Sequence, residues 1–289
     1  MTDEQPGHER ATTSKRTLTR AQLSSPAAME KRHYPFRNYK HAEQTVLFPG
    51  CNFMAIYPKT TRALIDLFRE RIQAGFVYDC CSQPVVDMGL RDEADAIAAS
   101  MEARLLKKGV RRVIAMCPNC YYRMRKTFEK VQVVDVYTAL REIGWEGACG
   151  AMMSDDLHTQ AAERDSMPSD DAVPTLEPLP IWQPCPDRRS ADMLDALGAF
   201  LPGEPEKLRG VPCCGLKGWG RIFDAETADR FATTLAEAGD VRTYCASCIM
   251  TVARHGGTQM RHALVELLGT DEQPDIAHYA ANRAKGKFA

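Results

Sequence analysis

The chain has 289 residues, 44% of them apolar, and its 37 basic and 38 acidic residues leave a formal charge of −1. This length allows two domains of modest size, each with its own core. The chain lacks the basic excess of a nucleic-acid-binding protein, so we predict no nucleic-acid partner. No apolar run reaches the length of a signal peptide or a membrane helix, so we predict a cytoplasmic protein with no integral membrane segment.

The unusual feature of the composition is a set of 11 cysteines. An exported protein would use such thiols in disulfides, but the count is odd and no export signal is visible. In a reducing cytosol, clustered thiols more often bind metals or take part in redox chemistry. The composition therefore favours a metal-binding or redox protein.

Residues 1–43 are polar, show no sustained hydrophobic period and are predicted to form a flexible leader. Order is expected to begin near Gln44, in a β-prone segment that ends at Cys51. From there to residue 150, short apolar strands alternate with amphipathic helices. We predict strands at 44–48, 76–78, 110–116 and 131–136, and helices at 61–73, 93–107, 122–130 and 137–143. This alternation indicates an α/β fold with a mostly parallel sheet.

A second copy of the same pattern follows. Residues 151–178 are rich in Ser, Asp, Thr and Pro and are predicted to be a linker. Residues 179–289 then repeat the order of elements seen in 44–150. In this copy we predict helices at 190–200 and 225–238 and a strand at 241–244. The chain is therefore predicted to contain two α/β half-domains, related by duplication and paired about a pseudo-two-fold axis.

The cysteines follow the same duplication. Each copy contains a single cysteine, then an adjacent pair, then a C-x-x-C motif. The first set is Cys51, Cys80, Cys81, Cys117 and Cys120, and the second is Cys185, Cys213, Cys214, Cys245 and Cys248. Cys149 lies outside the pattern and is predicted to be an ordinary thiol.

The spacing limits what the thiols can bind. A C-x-x-C motif at a strand–helix turn brings two sulfurs to one metal, and the helix N-terminus favours thiolate. Zinc takes four ligands and would leave one thiol over in each set. A cluster of several irons can use the adjacent pair at different irons or let one sulfur bridge two, and thiolates are its usual ligands. Structural zinc sites, metal-free C-x-x-C couples and vicinal disulfides remain alternatives.

The duplicated pattern resembles the cysteine-rich CCG domain of the heterodisulfide reductase B-like family and of related iron–sulfur oxidoreductases. The residues that carry the resemblance are Pro49-Gly50-Cys51, Cys80-Cys81, Cys117-Pro118-Asn119-Cys120, Cys185, Cys213-Cys214-Gly215 and Cys245-Ala246-Ser247-Cys248. The resemblance implies that each set of five cysteines holds a noncubane [4Fe-4S] cluster and that the two clusters reduce a disulfide. The chain departs from the family in two places: Ser82 stands where Gly usually follows the first pair, and no Gly precedes Cys185.

This resemblance implies an oxidoreductase subunit whose substrate is a small disulfide or thiol. The adjacent pairs Cys80-Cys81 and Cys213-Cys214 are then the candidate catalytic thiols. Lys217 and Trp219 follow the second pair and are candidate cofactor-binding residues, with a tight loop and simple packing as the alternatives. The sequence has no ferredoxin-type cysteine run and no Gly-rich dinucleotide motif, so a ferredoxin-type or flavoprotein subunit is expected to donate the electrons. A non-catalytic electron-transfer module and a structural zinc scaffold are the alternative functions.

Two other features are weaker signals. His262 occupies the repeat position of Asp135 and is expected to be a hydrogen-bonded histidine near the sheet edge rather than a proton relay. The basic segment 121–126 is expected to form a solvated helix face, with docking of an acidic redox partner as the alternative.

Overall fold

A computed structural model describes residues 34–145, 176–216 and 225–287 of the chain. Its larger sheet has five strands in the order β1-β3-β2-β4-β5. Strands β2 to β5 pair in parallel, and β1 is antiparallel to β3. The strands are β1 Asn38–His41, β2 Thr45–Phe48, β3 Gly75–Tyr78, β4 Arg112–Ala115 and β5 Gln132–Asp135. The predicted α/β fold with a mostly parallel sheet is confirmed.

Six helices connect or flank these strands: α1 Gly50–Ile56, α2 Pro58–Ile72, α3 Gln83–Asp87, α4 Arg91–Lys107, α5 Pro118–Thr127 and α6 Val136–Glu142. Helix α2 buries Leu64, Ile65 and Phe68 on one face, as its helical spacing predicts. Helices α2 and α5 each have proline in the first turn, where the missing N–H has no intrahelical partner to lose. Local sequence therefore accounts for where both helices begin.

The second part of the chain repeats this topology with shorter strands. Strands β6 Val241–Thr243 and β7 Met260–His262 pair in parallel. Ile181 forms parallel bridges to both Lys207 and Arg242, so the order Lys207, Ile181, β6, β7 matches β3-β2-β4-β5. The helical elements here are a 3₁₀ turn at Cys185–Asp187, α7 Asp192–Gly198, α8 Ala225–Ala236, α9 Ala246–Arg254, α10 Ala263–Leu267 and α11 Tyr279–Gly286. The repeat read from the sequence is thus visible in the backbone pairing.

Order begins earlier than the sequence predicted. Strand β1 lies inside the expected leader, and Tyr34 and Asn38 are buried. The reason is tertiary, because β1 covers the outer edge of β3 and the Tyr34 ring packs edge-on against Tyr78 at a centroid distance of 5.8 Å. Residues 1–33, and 151–175 of the predicted linker, lie outside the described residues. The division into domains remains a prediction.

Both parts of the chain contribute to one continuous hydrophobic core. Helix α11 lies near the C-terminus but packs against α1 of the first part. Asn282 on α11 is buried and donates hydrogen bonds to Ala55 O at 3.1 Å and to Asp275 Oδ2 at 2.9 Å. Among the residues described, no helix has the length and apolar character needed to cross a membrane.

Replacing Asn282 with alanine tests the importance of this packing. Asn282→Ala leaves the buried carbonyl of Ala55 without its donor, so we expect a loss of about 1–3 kcal/mol in the free energy of unfolding. Urea denaturation followed by circular dichroism measures the change. The exposed Lys287→Ala variant is the control, and equal stability of the two variants would contradict the prediction.

Candidate functional site

The strand order explains how distant cysteines come together. Three of the cysteines lie just after the carboxyl ends of three strands. Within three residues, β2 is followed by Cys51, β3 by Cys80 and β4 by Cys117. These strands are neighbours and run in parallel, so their ends lie at one edge of the sheet. Strand β2 lies between β3 and β4, so the strand that follows it in sequence pairs on one side of it and the next strand pairs on the other side. In open α/β sheets, ligands bind at such a switch point.

Gly50 allows the first cysteine to approach the C-x-x-C motif. Its φ is +73°, and a Cβ at this position would lie 2.8 Å from Cys120 Sγ and 3.4 Å from Cys117 Cβ. The backbone that carries Cys51 therefore rests directly on the turn between Cys117 and Cys120. Tyr78 fixes this backbone further by donating a hydrogen bond to Cys51 O at 3.2 Å.

Cys117 is the N-cap residue of α5. Hydrogen bonds from the Cys120 and Cys245 thiols lower the pKa of Cys117, with further bonds from the backbone N–H groups of Cys120 and Asn119. These donors outweigh burial, which acts in the opposite direction. Cys117 is therefore the sulfur in this group that most readily carries negative charge.

Seven thiols form an unbroken succession of hydrogen-bonding contacts that crosses from the first set to the second. The order is Cys81, Cys120, Cys117, Cys245, Cys248, Cys214 and Cys213. We call this succession the sulfur chain. The contact between Cys117 and Cys245 joins the two sets, and a member of an adjacent pair lies at each end.

All ten cysteines in the described residues are free thiols, and only Cys185 is partly exposed. The adjacent pairs are thus reduced, not joined as vicinal disulfides. The hydrogen bond with Cys213 raises the pKa of Cys214 to about 11. Burial raises the pKa of Cys248. A buried thiol with a raised pKa stays protonated unless a positively charged metal centre binds its thiolate. This is the donor chemistry expected of an iron–sulfur site.

Both adjacent pairs are followed by a residue in the left-handed region. Ser82 has φ +67° and Gly215 has φ +85°. Gly215 is required, because a Cβ there would lie 2.5 Å from Ala228 O. Ser82 adopts the same turn in place of glycine, and its buried hydroxyl accepts a hydrogen bond from Arg123 Nε at 3.1 Å. Ser82 therefore adopts the same left-handed turn as Gly215 and also forms a hydrogen bond with Arg123.

A buried carboxylate holds the first adjacent pair. Asp79 has a side chain that is 1% exposed and accepts a hydrogen bond from Cys80 N at 2.8 Å. Tyr39 Oη donates to it at 2.6 Å, and the guanidinium groups of Arg37 and Arg104 donate at 3.1 and 3.2 Å. These donors together offset the cost of burying the charge. Asp79 thereby fixes the backbone that leads into Cys80.

The two halves also brace each other crosswise. Asn52, next to Cys51, donates to Ser247 Oγ of the second C-x-x-C motif at 2.7 Å. In the opposite direction, Tyr122 of α5 donates to Asp187, two residues after Cys185. Asp187 is fully buried and also accepts a hydrogen bond from Tyr244 Oη at 2.5 Å. In each half, the C-x-x-C helix thus contacts the turn beside the first cysteine of the other half, while the pseudo-two-fold pairing remains a prediction.

His262 and Asp135 play matching parts in the two halves. Each is the N-cap of the following helix, α10 or α6. His262 Nδ1 accepts a hydrogen bond from Leu264 N at 3.2 Å, which leaves the proton on Nε2. Burial lowers the pKa of His262 to about 3, so the ring is neutral. The prediction of a hydrogen-bonded histidine holds for Nδ1, whereas Nε2 is buried without a partner among the described residues.

Several predicted residues cannot be placed. Lys217, Trp219 and Cys149 lie outside the described residues. Within residues 34–145, 176–216 and 225–287, no three His, Cys, Asp or Glu side chains converge as the ligands of a single metal ion.

Sequence reasoning missed Asp79, Asp187 and Asn52. Each lies within two residues of a cysteine, which is the signal that could have singled them out. The prediction that segment 121–126 forms a solvated helix face is wrong for Arg123. This residue is buried, and its Nη2 pairs with Asp95 Oδ1 at 2.6 Å. The helix turns this side chain toward the Ser82 loop.

One comparison with known proteins supports the site. Residues 45–125 match the family model of the CCG cysteine-rich domain. The matched segment runs from β2 to the last turn of α5 and contains Cys51, the first adjacent pair and the first C-x-x-C motif. No curated protein matches the chain. The first half of the chain is thus similar to a cysteine-rich domain, and the second half is connected to it by the internal repeat.

Gly50 can be tested against a glycine with the same backbone angle. Gly50→Ala and Gly109→Ala both place a Cβ at positive φ, which costs about 1–2 kcal/mol. Nothing lies within 4 Å of the new Cβ at Gly109, whereas at Gly50 it would lie 2.8 Å from Cys120 Sγ. We therefore expect Gly50→Ala to lose roughly 1–3 kcal/mol more in urea denaturation. Equal losses in the two variants would show that the glycine is not required by the sulfur.

Ser82 can be tested with a pair of substitutions. Ser82→Ala removes the acceptor for Arg123 and keeps the left-handed strain, while Ser82→Gly removes both. We expect both variants to be less stable than the natural protein, with Ser82→Ala about 1 kcal/mol below Ser82→Gly. Chemical denaturation gives the order of stability. A Ser82→Gly variant more stable than the natural chain would mean that the Arg123 contact contributes less than the strain costs.

Proposed function

We propose that the chain is an iron–sulfur redox subunit that reduces a disulfide, or a related two-electron substrate, with electrons from a partner protein. The observation that supports the proposal best is the sulfur chain. Seven buried thiols from two copies of one motif lie in contact, and the first copy matches a cysteine-rich domain. A metal-free protein has no evident use for so many buried thiols in one place.

Each set of five cysteines would hold one cluster, by its motif positions. The first set is Cys51, Cys80, Cys81, Cys117 and Cys120, and the second is Cys185, Cys213, Cys214, Cys245 and Cys248. The resemblance to the heterodisulfide reductase B-like family favours a noncubane [4Fe-4S] cluster in each. Iron–sulfur clusters exchange electrons one at a time, so two of them can supply the two electrons that a disulfide needs.

The reaction is balanced by two electrons and two protons, which convert one disulfide into two thiols. Protein groups around the cysteines would prepare the site for it. The N-termini of α5 and α9 direct backbone N–H groups toward the C-x-x-C sulfurs and favour thiolate. Burial of nine of the ten described cysteines excludes water from the sulfurs. Asp79 and Asp187 hold the loops that carry Cys80 and Cys185.

The adjacent pairs are the proposed catalytic thiols. Cys81 contacts the sulfur chain through Cys120, and Cys213 contacts it through Cys214. Electrons would come from a ferredoxin-type or flavoprotein subunit, since the sequence has neither a ferredoxin-type cysteine run nor a dinucleotide motif.

Metal analysis of anaerobically purified protein tests the proposal. We expect several irons per chain, acid-labile sulfide and an electron paramagnetic resonance signal that changes when a disulfide is added. Cys213→Ser should lose roughly half of the iron, because it removes a ligand of the second set only. Cys80→Ser is the matched variant in the first set and should lose the other half.

The Cys149→Ser variant is the control, since this thiol lies outside both sets and should leave the iron content unchanged. Stoichiometric zinc without sulfide would replace the redox proposal with a structural one. Iron with no spectroscopic response to disulfides would indicate an electron-transfer module instead. Equal loss of iron from both sets in Cys213→Ser would show that the two sets are not independent.

A further inference from the structure

A surface pocket with a volume of about 260 Å³ lies where the two halves meet. Its lining includes Gln83, Asn119 and Pro186. Gln83 follows Cys81 by two residues, Asn119 lies between Cys117 and Cys120, and Pro186 follows Cys185 directly. The pocket thus borders three cysteine motifs drawn from both halves. Cys185 is also the partly exposed cysteine among the ten described.

The pocket is cationic. Arg91, Arg123 and Lys126 line it, and none of its lining residues is acidic. Arg123 is buried and paired with Asp95. Arg91 and Lys126 are exposed and form no ion pair with the residues that the structure describes. An uncompensated guanidinium and an ammonium group therefore face a small open cavity.

Such a pair of cations has a clear preference among ligands. Carboxylate and phosphate groups accept charge-assisted hydrogen bonds from Arg and Lys, and Arg can donate two in parallel. The buried Arg123 lies on the inner wall, where Ser82 Oγ and Asp95 hold its guanidinium and Asp95 balances its charge, so Arg91 and Lys126 supply the net attraction. A neutral polar ligand would gain none of this attraction.

We propose that this pocket binds the anionic end of the substrate, a small thiol or disulfide that bears a carboxylate or phosphate group. The inference rests on the proposed function for the identity of the reacting group, and it adds the charge of the rest of the molecule. With the anion held by Arg91 and Lys126, the sulfur end of the ligand would lie nearest Cys185, the partly exposed cysteine, whose neighbour Pro186 lines the pocket. The site selects its substrate by charge at one end and by sulfur at the other.

Binding of two matched disulfides tests the proposal. Dithiodipropionate has a carboxylate at each end, and dithiodiethanol is a neutral disulfide of similar size. In isothermal titration calorimetry on the anaerobically purified protein, we expect dithiodipropionate to bind about 10-fold more tightly at low salt. The preference should shrink as ionic strength rises, because the cations are exposed. Inorganic phosphate and propionate, titrated alone, show which anionic group the pocket takes.

Single substitutions test which residues produce the preference for the anionic disulfide. Arg91→Gln and Lys126→Gln should each weaken dithiodipropionate binding about 5-fold and leave dithiodiethanol unchanged. Lys130→Gln is the control, because Lys130 is exposed beyond the end of α5 and does not line the pocket. Equal affinity for the two disulfides, or the same weakening in Lys130→Gln, would overturn the proposal.

Iron and sulfide are measured on the same preparation, which separates the two proposals. Cluster-containing protein that binds both disulfides equally would overturn the pocket and leave the redox function standing. Protein without iron that keeps an anion preference dependent on Arg91 and Lys126 would support the pocket and overturn the redox function.

Discussion

Three parallel strands that end at one edge of a sheet determine where the thiols lie. Cysteines that follow β2, β3 and β4 must meet there, whatever the lengths of the helices between them. Gly50 then lets the backbone before Cys51 lie directly against Cys120 Sγ. The second half repeats the arrangement around Ile181 and β6. The contact between Cys117 and Cys245 joins the two edges into a single buried zone.

Holding so many polar groups inside a protein requires compensation. A buried carboxylate is costly unless several donors satisfy it. Asp79 and Asp187 meet this requirement with tyrosine hydroxyls, backbone N–H groups and, for Asp79, two arginines. Each lies within two residues of a cysteine. These two buried charges therefore serve to fix the loops that carry sulfur.

Much of this organisation can be predicted from the sequence. Helix α2 has a clear apolar period and a basic last turn, and the cysteine spacing reveals the duplication directly. Helix α1 was missed because nearly all of its residues are buried, so it has no amphipathic period. Strand β1 was missed because its exposed residues are polar and its pairing with β3 is tertiary. The packing of α11 on α1 and the crosswise bonds of Asp187 depend on long-range contacts that no local pattern encodes.

The crosswise bracing has a consequence for the origin of the chain. The turn next to the first cysteine in each half is secured by the C-x-x-C helix of the other, through Asn52 with Ser247 and Tyr122 with Asp187. A pair of identical single-repeat subunits would make these contacts twice, once in each direction, as an isologous dimer does. Gene fusion of such a dimer needs no new interface. Fused copies would then be free to diverge, and Ser82 and Gly215 are different residues at equivalent turns.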